Sequence, residues 1–124
     1  MKFLSNFEPV AYTLLRIIFG FLIACHGAQK LFGVLGGQSQ IHVPMMLVAA
    51  IIEFGGGILI GLGLFSRPAA FIVSGEMAMA YFMVHARGGF FPIVNKGELA
   101  VIYCFVALLI ACHGAGPFAA RKDS

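Results

Sequence analysis

Six polar side chains stand at the ends of long apolar runs: His26, Gln29 and Lys30, then His85, then Asn95 and Glu98. His26 and Lys30 are four positions apart, so an imidazole and an ammonium share one helix face, with the Gln29 amide beside them. If successive runs are helices of alternating direction, all six reach one mouth of a bundle. Such a convergent polar cluster is the default candidate for a ligand site. Its chemistry would be proton handling or anion recognition, because histidine titrates near neutral pH and Glu98 could pair with Lys30 or take a proton from a bound molecule. The same residues also have a purely structural use. Lys30 can snorkel to headgroups, Glu98 can stabilise a helix N-terminus, and His85 can rest in the headgroup region.

Arg16, Glu53 and Glu76 lie deeper within the apolar runs. An ionised side chain at membrane depth costs a few kcal/mol, so such residues face the protein interior and mark a polar site or pathway, or an ion pair between helices. A buried arginine with a carboxylate is the expected arrangement of this charge network. One arginine neutralises one acid, so the second glutamate is protonated, paired with His26, or part of a proton path. Glu76 and His85 are nine positions apart, on opposite faces of an ideal helix. Either that helix bends or the two belong to different sites.

The elements that must position these residues are helices. The chain has 124 residues, 60% hydrophobic and only 10% charged, with mean hydropathy +0.97. Soluble domains carry roughly 25% charged residues, so the composition is that of an integral membrane protein. A span needs about 20 apolar residues, and the pattern predicts four, over about 10–32, 45–65, 69–85 and 98–115. The fold class expected is an all-α membrane protein, one domain over 1–124, with four transmembrane helices in an antiparallel bundle. Pro9 is suited to open the first helix, Gly33 to Gly37 closes it, and Ser66-Arg67-Pro68 is read as a tight turn. Phe90 to Gly97 is an aromatic loop that lies along the membrane surface or folds back onto the bundle. Gly57 and Gly61 form a small-xxx-small face for close helix packing, and Glu53, one turn earlier on that face, points at the contact.

Four crossings place both termini on one side. Lys2, Arg67, Arg121 and Lys122 there, against Lys30, Arg87 and Lys96 opposite, favour cytoplasmic termini. The net charge is +3, but no stripe of basic residues suits phosphates, which argues against nucleic acid. The heptapeptide Leu-Ile-Ala-Cys-His-Gly-Ala occurs at 22–28 and again at 109–115. Antiparallel helices would hold His26 and His113 at different depths, so they cannot share a metal ion, and no metal site is expected. Cys25, Cys104 and Cys112 contain no Cys-x-x-Cys pair and read as buried small hydrophobes.

These residues together resemble the DoxX family of small four-helix membrane proteins. The matching blocks are Leu-Leu-Arg-Ile-Ile-Phe-Gly (14–20), His-Gly-Ala-Gln-Lys-Leu-Phe-Gly (26–33), Glu-Phe-Gly-Gly-Gly (53–57), Gly-Glu-Met-Ala-Met-Ala-Tyr-Phe (75–82), His85 with Gly89-Phe90-Phe91-Pro92, and Asn95-Lys96-Gly97-Glu98-Leu-Ala. Lys96 and the Gly-Pro-Phe-Ala-Ala-Arg tail depart from the family pattern. The resemblance implies a multi-pass protein of the bacterial inner membrane, in contact with the lipid bilayer and associated with redox or thiol and oxidative-stress metabolism. It suggests a quinone-like or sulfur-containing small molecule at the polar cluster, with electrons supplied by a redox-enzyme partner. No cofactor motif is evident in the residues themselves, and quinone enters by family analogy alone. The alternative is a small proton-coupled transporter, or an accessory scaffold, for which so short a chain would form a homo-oligomer.

Overall fold

The computed structural model describes residues 2–85, 88–95 and 97–121; Arg87, Lys96 and Lys122, counted above for orientation, lie outside them. Every element among these residues is helical: α1 (Lys2–Asn6), α2 (Glu8–Phe32), α3 (Pro44–Leu62), α4 (Ser66–Ala80) running on into a π-helical turn (Tyr81–His85), α5 (Pro92–Asn95) and α6 (Glu98–His113). Four of them are the helices expected from the sequence, with shifted ends. Two, α2 with 25 residues and α3 with 19, are long and apolar enough to cross a membrane, and α6 is a shorter apolar helix.

Local chemistry explains the boundaries. Pro9 and Pro44 fall in the first turns of α2 and α3, where a missing amide hydrogen costs nothing. Gly33 and Gly63 end these helices with φ of 68° and 78°, a left-handed conformation that only glycine adopts freely. At Gly63 the cap is a Schellman motif, with Leu64 N–H donating to Leu59 O at 2.9 Å and Gly63 N–H to Ile60 O at 3.2 Å. The turn into α4 is therefore Gly63-Leu64-Phe65, earlier than the Ser66-Arg67-Pro68 expected from sequence. Ser66 to Pro68 is already helical, because proline is tolerated in a first turn.

The α2–α3 pair packs backbone to backbone. A Cβ on Gly20 would stand 2.5 Å from Gly61 N, and one on Gly57 would stand 2.5 Å from Ala24 N. The Gly57 and Gly61 face is thus occupied by α2 of the same chain, with Gly61 the looser of the two at 3.9 Å from Gly20 Cα. Its unforeseen counterpart, Gly20, Ala24 and Gly27, has the same spacing signature on α2. α4 packs along α6, and α3 joins the two pairs through α4. Phe19, Ile23, Ile60, Val73, Tyr103, Ala107 and Ile110 fill the core between them. Large apolar side chains on the long helices face outward as well, including Phe21, Phe71, Phe82 and Phe105. A water-facing surface rarely carries so much contiguous apolar area, whereas lipid favours it.

Candidate functional site

A cavity of about 240 Å³ lies where α2, α3, the end of α4 and the start of α6 meet. His26 and Lys30 enter its wall from α2, Glu53 from α3, Glu76 from α4, His85 from the π turn and Tyr103 from α6. Met77, Ala80, Leu99 and Ala100 complete it with apolar surface.

The polar wall is anchored by an ion pair. Lys30 Nζ donates to Glu53 Oε2 at 2.7 Å, with the Glu53 side chain 1% exposed and that of Lys30 23%. The Glu76 carboxyl adjoins that of Glu53. Oε1 of Glu53 and Oε1 of Glu76 are both buried without a hydrogen-bond partner. One ammonium can balance one carboxylate, so the trio carries either a shared proton or an uncompensated charge. A shared proton would bond the two carboxyls to each other, whereas without it both free oxygens are acceptors in want of a donor.

The question raised by the spacing of Glu76 and His85 is answered by the π turn. A π turn holds more residues than an α turn, so Tyr81–His85 rotates less per residue and carries His85 back toward the Glu76 side. Tyr81 stacks on His85 with ring centroids 6.4 Å apart and donates its hydroxyl hydrogen to Phe90 O, tying the turn to the aromatic loop. On the facing wall the His26 ring meets Tyr103 edge-on at 5.8 Å, and Tyr103 meets Phe19 at 5.4 Å.

The cluster expected from sequence is therefore brought together in part. His26, Lys30 and His85 share the cavity. Gln29 turns away and donates Nε2–H to Leu35 O at 2.8 Å, bracing the loop after α2. Glu98 is exposed in the first turn of α6, off the cavity wall, where it complements the helix dipole. Asn95 closes α5, and its side chain falls outside the described set. Phe90, Phe91 and Ile93 of the loop are 71%, 66% and 79% exposed and do not line the cavity.

The network of Arg16, Glu53 and Glu76 also divides. The two acids join Lys30, whereas Arg16 lies near the opposite end of the bundle and meets no carboxylate among the described residues. It donates Nη1–H to Ala115 O at 2.6 Å and Nη2–H to Phe118 O at 3.0 Å, both in the segment after α6. Lys30 reaches Glu53 because it sits at the end of α2 that faces the start of α3, a pairing invisible in either helix alone. His113 stacks on Tyr12 at 4.1 Å, far along the bundle from His26, so the two histidines of the repeated heptapeptide do serve separate surroundings. No group of three or more His, Cys, Asp or Glu among the described residues is arranged to hold a metal ion.

A family model described as DoxX matches residues 11–86, more than half of the chain. The chain belongs to the DoxX family. An uncharacterised protein of Haemophilus influenzae is 43% identical over 123 residues, covering 94% of this chain and 92% of that one. The inner membrane protein YqjF of Escherichia coli is 28% identical over 119 residues, covering 90% and 92%. No solved structure matches.

In this DoxX protein the matched segment carries five of the six polar wall residues, all but Tyr103. Tyr103 escaped the sequence reading. The signal was present, since it is the single hydroxyl in the apolar run between Glu98 and His113.

Proposed function

We propose that this DoxX protein is a four-span, multi-pass protein of the inner membrane, forming one domain, that binds a quinone-like ring compound in the cavity at one end of its bundle. The membrane depth is supported by the two long apolar helices and by the 20 residues of continuous helix made by α4 (15) and the π turn (5). α6, at 16 residues, spans about 24 Å at 1.5 Å per residue, and a modest local thinning or tilt of its neighbours accommodates it. Arg16, Arg67 and Arg121 gather at the end opposite the cavity, which favours that end as the cytoplasmic one. The name of the Escherichia coli relative agrees with the membrane assigned.

The cavity itself carries the functional reading. At about 240 Å³ it is below the usual range for drug-sized ligands and suits a single ring. Apolar walls of Met77, Leu99 and Ala100 would cover the ring faces, while the His26, His85 and Tyr103 rings supply edge contacts. Glu53 and Glu76 would exchange hydrogen bonds with ring oxygens. A bound quinone would supply the two-electron chemistry, with a redox-enzyme partner as the source or sink of electrons.

Native mass spectrometry of protein extracted in mild detergent tests the reading. The expected result is a stoichiometric ring compound released from the wild-type protein and absent from Lys30→Met and Glu53→Gln variants that keep their helical circular dichroism. A protein that is empty as purified and takes up no short-chain quinone in either redox state overturns it.

A further inference from the structure

Glu53 and Glu76 meet in a place that leaves little choice of charge. The Glu76 carboxyl lies within hydrogen-bonding reach of that of Glu53, the Glu53 side chain is 1% exposed, and Oε1 of each acid is buried. Two bare carboxylates cannot bond to each other, because neither brings a hydrogen, and side by side away from water they repel. Lys30 Nζ is directed at Glu53 Oε2 and balances one of them. Arg16 and Arg67 are held by backbone carbonyls at the opposite end and give no help. The other groups that face the acids are His26 on α2, His85 on the π turn and Tyr103 on α6. The His26 ring meets Tyr103 and the His85 ring stacks on Tyr81, contacts that do not use the acids.

We infer that Glu53 and Glu76 form a binding site for one proton, shared between their carboxyls beside Lys30 at neutral pH and exchanged with the surroundings through the cavity. One proton is the balanced count. With none, the trio carries a surplus negative charge beside the apolar walls of Met77, Leu99 and Ala100; with two, Lys30 loses its counter-charge. With one, the protonated acid donates a short bond to its ionised neighbour and Lys30 neutralises what remains. Access comes from one side. Ile23, Ile60 and Val73, all fully buried, pack the interior between the acids and the arginine end. The cavity, in contrast, has room for several water molecules, and Lys30 on its wall is 23% exposed. Proton loading is a property of these three side chains and holds whether or not a ring compound occupies the cavity.

Infrared difference spectroscopy of the full chain in mild detergent, with no added ligand, tests the site. The expected result at pH 7 is the C=O stretch of a protonated carboxyl, which shifts within minutes of transfer to heavy water. Glu8 and Glu98 are exposed and contribute carboxylate bands only. Raising the pH passes the proton to hydroxide, forming water, and reversibly converts the band into carboxylate absorption. Glu53→Gln and Glu76→Gln are each expected to abolish the band while keeping helical circular dichroism, because the acid left behind becomes the sole counter-charge of Lys30 and ionises. Absence of a protonated carboxyl from the wild-type protein at pH 7 overturns the inference, and that result depends on no variant folding. A band that survives in both glutamine variants overturns it as well, and one that stays unshifted after a day in heavy water overturns the exchange through the cavity.

Discussion

The two ends of this bundle hold the same kinds of residue and use them differently. At one end Lys30 pairs with Glu53 at the cavity wall, and the Glu76 carboxyl adjoins that of Glu53, so one ammonium serves two acids. At the other, cations meet backbone carbonyls. Arg16 holds Ala115 and Phe118, and Arg67 donates to Ala111, Cys112 and His113 at 3.3, 2.6 and 3.2 Å. Tyr12 adds a hydroxyl bond to Gly114 O at 2.5 Å, and Ala120 N–H reaches Leu62 O at 3.1 Å. The last carbonyls of a helix have no partners of their own, so a guanidinium with several donors suits them and carries the compensating charge. A clamp built this way fastens the end of α6 and the tail to α2, α3 and α4. Cation-to-carbonyl contacts hold the fold, whereas an ammonium between two acids leaves capacity for something else.

The largest effect that would break this comparison belongs to Arg16. Arg16→Met retains the length of the side chain and removes both short bonds, leaving the Ala115 and Phe118 carbonyls unpaired. A loss of about 3 kcal/mol is expected, since a hydrogen bond to a charged group contributes about 1.5–3 kcal/mol. Unfolding by sodium dodecyl sulfate in mixed micelles would measure it. Affinity for a ring compound in the protein that remains folded should be unchanged. A variant of normal stability, or one folded yet unable to bind, would dissolve the distinction between clamp and site.

Lys30→Met should show the opposite pattern. Lys30 is partly exposed, so its removal costs less than a fully buried pair would, about 1–2 kcal/mol, while Glu53 loses the ammonium bonded to its Oε2. Affinity for the ring compound should fall at least ten-fold, a change read by equilibrium dialysis of a short-chain quinone against the detergent-extracted protein. Retained affinity with a large loss of stability would make the cavity end a second clamp.

The sequence revealed the helices better than their meeting points. Four apolar runs with Pro9, Pro44 and Gly33 as punctuation mark the four long helices within a few residues, because caps and apolar length are local properties. The Gly57 face was legible for the same reason. The π turn was not: Tyr81–His85 reads as ordinary helix, and only the need to place His85 beside Glu76 hinted at a departure. The partners of Arg16 were hidden more deeply, since backbone carbonyls of a tail without periodicity leave no mark in side-chain chemistry. Assigning Arg16 to the acids followed charge alone, and charge does not record which helix ends lie together.

Gln29 and Glu98 provide the smallest effect and the sharpest control, because sequence alone groups them with His26 and Lys30. The Gln29 amide braces Leu35 O in an exposed loop, and the Glu98 carboxyl lies outside the cavity wall. A solvated contact of the first kind contributes about 0.5 kcal/mol or less, and an exposed carboxyl at a helix start acts through a field that salt screens. Gln29→Ala and Glu98→Ala should therefore bind the ring compound within two-fold of the wild type, with Glu98→Ala showing at most a small, salt-sensitive change in unfolding. If either instead removes binding as Lys30→Met does, the site extends outward to the mouth of the bundle. Its boundary would then be set by proximity along the chain, and the cavity wall drawn by α2, α3, α4 and α6 would be too narrow a frame for it.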